Sequence, residues 1–261
     1  MKKLRSLSFD AKRPDKFKAS NAAEREFYRA LKKVAQKSGH LIDIHTDGAT
    51  IHDDAQLQKA LRTYAKQLEP WARRQAAKML EKSAKSNKRA YKNHSKAMGA
   101  AIQSGVAESD TGQVAMALLN EQVALIQSIP IEAGLRAQKI AAENFLQGKR
   151  AVPDQSVIDD LKEQMGMSTE VAVNRAKLIA RTETARANAS FVQARAEAIG
   201  VTHYRWVTTM DGAERESHKK MNNKIIAYDK APTLSDGTTG HAGTFPNCRC
   251  YQEPILPSDD E

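Results

Sequence analysis

The stretch "ARAEAIGVTHYRWVTTMDG", residues 194–212, decides the reading of this chain. Up to Ala198 it is alanine-rich and helical, and Gly200 supplies the left-handed stop on which helices commonly end. From Val201 onward β-branched and aromatic residues alternate with polar ones, which predicts a strand running into a turn at Asp211 and Gly212. Upstream the sequence reads as helix; downstream it reads as short strands and loops. The fold class is therefore α+β, a mainly α-helical N-terminal region of long helices followed by a small α+β C-terminal module.

Working back from Gly200, Ser168 or Thr169 with Glu170 opens the last long helix, which Gly200 closes. Before it, Asp154 caps a short helix ending near Gly166, and "QGKRAVP" reads as a linker. Two helices are predicted over about 109–128 and 130–147, the second carrying Pro130 in its first turn. A long helical segment over about 55–104, interrupted by Pro70, follows a cap at Asp53 or Asp54. The first helix starts at Ser20 or Asn21 and stops at Gly39. The domain reading is a basic flexible arm over 1–20, a helical region over 21–150 and the C-terminal module over 151–261. Within that module "NNKIIAYDKAP" predicts a second short strand, and "CRCYQEP" a short extended end.

Charge is unevenly spread. Residues 1–100 hold 24 of the 41 Lys and Arg but 10 of the 31 Asp and Glu, so the net +10 comes from this part of the chain. In it Lys78, Lys82, Lys85, Arg89, Lys92 and Lys96 recur at spacings of 4, 3, 4, 3 and 4. At about 100° per residue they fall within roughly 80° of arc, a single basic stripe. Such a stripe fits a nucleic-acid backbone or an acidic protein wall, and equally an ordinary wet helix face. With little aromatic interleaving, any DNA contact would be sequence-independent and salt-sensitive. No continuous run of about 18 apolar residues is present, so no membrane partner is expected. The basic start lacks an apolar segment behind it, which points to synthesis in the cytoplasm.

Three clusters in the C-terminal module carry polar chemistry. "ARTETARANA" holds Arg181, Thr182, Glu183, Thr184 and Arg186; "DGAERESH" holds Asp211, Arg215 and His218; and "FPNCRC" holds Pro246, Asn247, Cys248, Arg249 and Cys250. With Trp206 on the intervening strand, their order and spacing are far more specific than any one of them alone. The region over about 168–254 resembles the phage head morphogenesis family typified by the F protein of phage Mu. Where that family often has Leu-Asp/Asn-Gly after the His, this chain has Met221-Asn222-Asn223, with Asn223 able to take the left-handed turn.

The resemblance implies a minor capsid protein of a tailed phage, without catalytic activity, inside the head at the portal vertex, assisting procapsid assembly and DNA packaging or delivery. The implied partners are the portal protein, the major capsid or scaffold protein, and genomic DNA through the basic helices. The alternative is a metal-dependent nuclease or other hydrolase acting on DNA, with His218 as general base and Asp211 as metal ligand. It lacks a second carboxylate near Asp211 and a Gly-rich phosphate loop.

Cys248 and Cys250 leave two readings open. Zinc takes four ligands from Cys, His and carboxylate; Cys248, Cys250 and His218 would give three, with Asp211, His203 or His241 as a fourth. Otherwise both are small buried hydrophobes that tie the last strand to the core, with Arg249 outside or paired to Glu183. A disulfide across so small a ring would be strained. Arg181, Glu183, Asp211 and Arg215 have a structural reading too, as an ion-pair network with Asp211 meeting Arg215 or Arg181.

Overall fold

The computed structural model describes residues 17–46, 51–94, 111–146 and 155–255. Its helices are α1 (Asn21–Asp43), α2 (Asp54–Gln67), α3 (Glu69–His94), α4 (Thr111–Leu146), α5 (Gln155–Ala198) and the single turn α6 (Glu216–Lys219). Three strands follow α5: β1 (His203–Val207), β2 (Ile225–Ala227) and β3 (Tyr251–Pro254). The class is α+β and mainly helical, as the sequence indicates.

Several boundaries follow local chemistry. The Asp53 carboxylate accepts from the Gln56 amide at 2.9 Å and caps α2. Pro70 sits in the first turn of α3, where a missing N–H costs nothing. Other boundaries depart from expectation. α1 runs through Gly39 to Asp43; α4 runs through Pro130; and α5 runs through Gly166, where the end of a short helix and the start of the next were expected. The expected linker "QGKRAVP" lies outside the described residues. Pro130 lacks the N–H that would reach the carbonyl of Ile126, yet the flanking Ile126 and Ile129 are fully buried. Their burial holds the helix through the lost bond.

The described residues form two compact units, each assembled from separated parts of the chain. The first draws on Arg25–Ala76 and Leu119–Ala180 and is entirely helical apart from its connections. Ile126, Ile129, Ala133, Ala137 and Ile140 of α4 turn inward at spacings of three and four, as do Leu57, Leu61 and Ala65 of α2. Gln127 donates to the Ala65 carbonyl at 3.0 Å, Gln58 to that of Gly134 at 3.2 Å, and Arg175 pairs with Glu132 at 3.0 Å. The stretch Thr111–Glu143 is, by length and composition alone, apolar enough to cross a membrane, which the search for an unbroken apolar run did not show. Within it Gln127, Gly134 and Glu132 make these contacts to α2 and α5.

The second unit draws on Met1–Glu24, Ala77–Leu118 and Arg181–Glu261. Its sheet has the order β2-β1-β3 with both pairings antiparallel, and Tyr204 faces Ile226 on one side and Pro254 on the other. Tyr204 and Trp206 of β1 point into the core, while His203, Arg205 and Val207 remain half-exposed. The arm expected over 1–20 lies mostly outside the described residues. At its described end Phe17 is buried, edge-on to Tyr91 with ring centroids 5.0 Å apart. A buried polar chain joins three segments here: Arg195 donates to Asn87, Asn87 to Asn188, and Asn188 to the Phe17 carbonyl at 2.7 Å. Tyr91 adds a 2.6 Å bond to the Val192 carbonyl.

Gly39 is a packing residue rather than a helix stop. A Cβ built there would lie 2.1 Å from the Thr169 hydroxyl oxygen and 2.9 Å from its Cβ. An alanine in place of a mid-helix glycine ordinarily stabilises by about 1 kcal/mol; here the overlap reverses the sign. Gly39→Ala is expected to destabilise by about 1–3 kcal/mol in urea unfolding, and Thr169→Ala to recover part of the loss. A stabilised Gly39→Ala protein would show that the α1–α5 contact is looser than described.

Candidate functional site

The end of the chain reaches its place through a left-handed turn. Asn247 has φ +57°, and its amide donates to the Thr182 hydroxyl at 2.9 Å, while its side-chain oxygen accepts from Arg181 at 3.0 Å. Arg181 also meets Glu24 at 3.4 Å. Arg215 donates to the Pro246 carbonyl at 3.0 Å, Thr209 to that of Arg249 at 2.7 Å, and the Arg249 guanidinium pairs with Asp211. Thus the three motif clusters, far apart in sequence, meet around one turn.

The pairing differs from that expected. Glu183, 3% exposed, is held by Arg186 one helical turn on, not by Arg249. Asp211 takes Arg249 as its partner, not Arg215 or Arg181. The cause is directional: Arg249 leaves the knuckle toward the β1–α6 turn and meets the Asp211 carboxylate there, while Pro246 occupies Arg215.

Beneath this polar layer lie His218, Cys248 and Cys250, all buried. Both cysteines are free thiols. The His218 Nδ1 is 3.5 Å from each sulfur, and the three candidate ligand atoms all lie within 4.8 Å of one another. Residues at i and i+2 of an extended chain project to the same side, and just ahead of β3 Cys248 and Cys250 both turn their sulfurs to one nitrogen. Thr208 fixes the opposite wall, donating to the His218 carbonyl at 3.1 Å and lying 3.7 Å from the Cys250 sulfur. The imidazole stands edge-on to Trp206 and packs on Phe245, with centroids 5.7 and 5.0 Å away. Its Nε2 is buried without a hydrogen-bond partner among the described residues. A hydrogen bond from the Cys250 thiol, with the His218 imidazole adding to it, draws the Cys248 thiol down to about 4 against the effect of burial. The same bond and burial push Cys250 up.

Asp211, His203 and His241 do not join this cluster. Asp211 is held by Arg249 and the Ala213 amide, His203 bonds Thr202 at 2.9 Å, and His241 bonds the Tyr204 hydroxyl at 3.1 Å. A cavity of about 70 Å³ opens beside the cysteines, bounded by Thr209, Asp211, Glu214, Arg215 and Asn247 among others. Glu214, which the sequence reading passed over in finding no second carboxylate near Asp211, lines the same cavity as Asp211 and has a buried carboxylate oxygen with no partner among the described residues. Its place within "DGAERESH", four residues before His218, was the available signal.

Residues 132–253 fit the family described as Phage Mu protein F like protein. Over this stretch, just under half of the chain, the protein is similar to that family. The match begins upstream of residue 168, so the Mu F-like region takes in the second half of α4 and all of α5 as well as the motif clusters. A protein of Haemophilus influenzae strain Rd described as uncharacterized is 32% identical over 145 residues, covering 56% of this chain and 30% of that protein. The chain thus spans less than a third of the length of the curated relative it matches. No solved structure matches the chain.

The remaining sequence-predicted residues lie on the surface. Lys78, Lys85, Arg89 and Lys92 are exposed on α3 and Lys82 is half-exposed, opposite the buried Leu80, Asn87 and Tyr91; Lys96 is outside the described residues. Lys85 pairs with Glu81 on the same helix. The turn after α6 has the conformation read from the sequence: Met221 is buried and Asn223 has φ +66°, its amide donating to the Trp206 carbonyl at 2.8 Å. At this position Asn223→Gly is expected to leave the melting temperature unchanged or slightly raised. Asn223→Val should cost about 1–2 kcal/mol, because a β-branched residue resists the left-handed region. Equal stability of the two variants would argue against the turn.

Proposed function

We propose that this chain is a minor capsid protein of a tailed phage, held inside the head at the portal vertex, where it assists procapsid assembly and DNA packaging or delivery. The Mu F-like match over residues 132–253 is the observation that carries this reading. The site supports an architectural role: Arg181, Glu183, Asp211, Arg215 and Arg249 each spend their charge on an internal partner. The nuclease alternative finds less support, since Asp211 is paired with Arg249 and His218 is 3% exposed, turned toward two sulfurs. When the chain is co-produced with its phage's portal, scaffold and capsid proteins, it should be recovered in procapsids at low copy. Omitting the portal should remove it. Equal recovery without portal would reject the vertex placement, and absence from every head preparation would reject the head role.

The exposed basic face of α3 is the surface we assign to a polyanion, genomic DNA or an acidic portal wall. Replacing Lys85, Arg89 and Lys92 together by Glu should weaken binding to mixed-sequence duplex DNA and reduce the slope of log affinity against log salt by about 3. An unchanged slope with intact folding would move the DNA contact elsewhere.

A further inference from the structure

We propose that His218, Cys248 and Cys250 bind a zinc ion that locks the terminal knuckle to the β1–α6 turn, with the fourth coordination position facing the cavity beside Glu214. The distances carry the argument. An ion with Zn–N about 2.05 Å and Zn–S about 2.3 Å in tetrahedral geometry sets N and S about 3.6 Å apart. The His218 Nδ1 stands 3.5 Å from both sulfurs, and all three atoms lie within 4.8 Å of one another, which places them close enough to share one such ion. One imidazole nitrogen equidistant from two sulfurs can hydrogen-bond only one thiol at a time, whereas it can share an ion with both. Three buried donors that lie this close together, with Thr208 a further 3.7 Å from one sulfur, have the composition and spacing of a cation site.

Charge balance agrees. Two thiolates and a neutral imidazole around a divalent ion sum to zero, so the ion would add no net charge to the buried site. The adjoining Arg249–Asp211 pair is also neutral and leaves that balance intact. The donor set selects the metal: two thiolates with one imidazole favour zinc over hard cations, which take oxygen. The fourth position faces a space of about 70 Å³, enough for one or two waters, and the unpartnered Glu214 oxygen borders it. His218, in turn, is oriented by Trp206 and Phe245 rather than by a carboxylate. A zinc site here is structural in effect: it ties together residues 218 and 248–250, which no disulfide joins. The inference does not depend on where the protein acts, and its outcome leaves the head-assembly reading untouched.

The test uses the full chain, purified without chelator from cells grown with zinc, and analysed for all transition metals. About one zinc per chain is expected, with a fall in melting temperature when a strong chelator removes it and recovery when zinc returns. Cys248→Ser and Cys250→Ser should each lower zinc affinity by more than about 100-fold, since even outer-sphere changes cost about 10–100-fold. Asp211→Asn should keep full zinc content, which separates this ligand set from one that includes the Arg249-paired carboxylate. Should the serine variants fail to fold, cobalt substitution of the native chain decides: a thiolate-to-cobalt charge-transfer band, abolished by alkylating both cysteines, supports the site. Native protein free of metal after zinc incubation, with a melting temperature indifferent to chelator, overturns it.

Discussion

Burial of Trp206 is the constraint on which the C-terminal structure depends. Three strands of five, three and four residues bury too little to stand alone. Trp206 sits fully buried on the middle strand, facing Gln252 across β1–β3. The imidazole of His218 packs edge-on against it, and Phe245 closes over both. Tyr204, two residues back on the same face, extends the same core to Tyr228 and His241. The long loop between β2 and β3 has no regular structure to hold it, so its shape is set by what it lays on these rings: Leu234, Ala242, Cys248 and Cys250, all buried.

The polar motifs are then the fasteners of an apolar plug. Thr182 and Arg181 hold Asn247 on α5, while Asp211, Thr209 and Arg215 hold the backbone and side chains of residues 246–249 from the other side. Half-exposed ion pairs such as Arg249–Asp211 contribute little stability in themselves, about 0–1 kcal/mol. Their value is directional: they fix which way the knuckle turns and hence where its sulfurs go.

Much of this was legible in the sequence because it is local. The switch at Gly200, the Asp53 cap, the break ahead of Pro70 and the left-handed Asn223 are each written in a few neighbouring residues. What depends on distant partners was not. Gly39 reads as a stop until Thr169 is found against it, and Pro130 reads as a start until the burial of Ile126 and Ile129 is known. Charge pairing failed for the same reason: spacing along the chain shows that Arg181, Glu183 and Asp211 need partners but not that these are Glu24, Arg186 and Arg249. The three motif segments meet around one turn, while the place of Glu214 at the cavity appears only in three dimensions.

The buried chain from Arg195 through Asn87 and Asn188 to Phe17 also bears on how the protein is made. Asn87 and Asn188 are 101 residues apart, and Asn188 and Phe17 are 171 apart. Their polar groups stay wet until all three segments have left the ribosome, and closing loops of that length slows the search for the native pairing. The Phe17 carbonyl and the Asn87 amide therefore gain their buried partner only once α5 has been made.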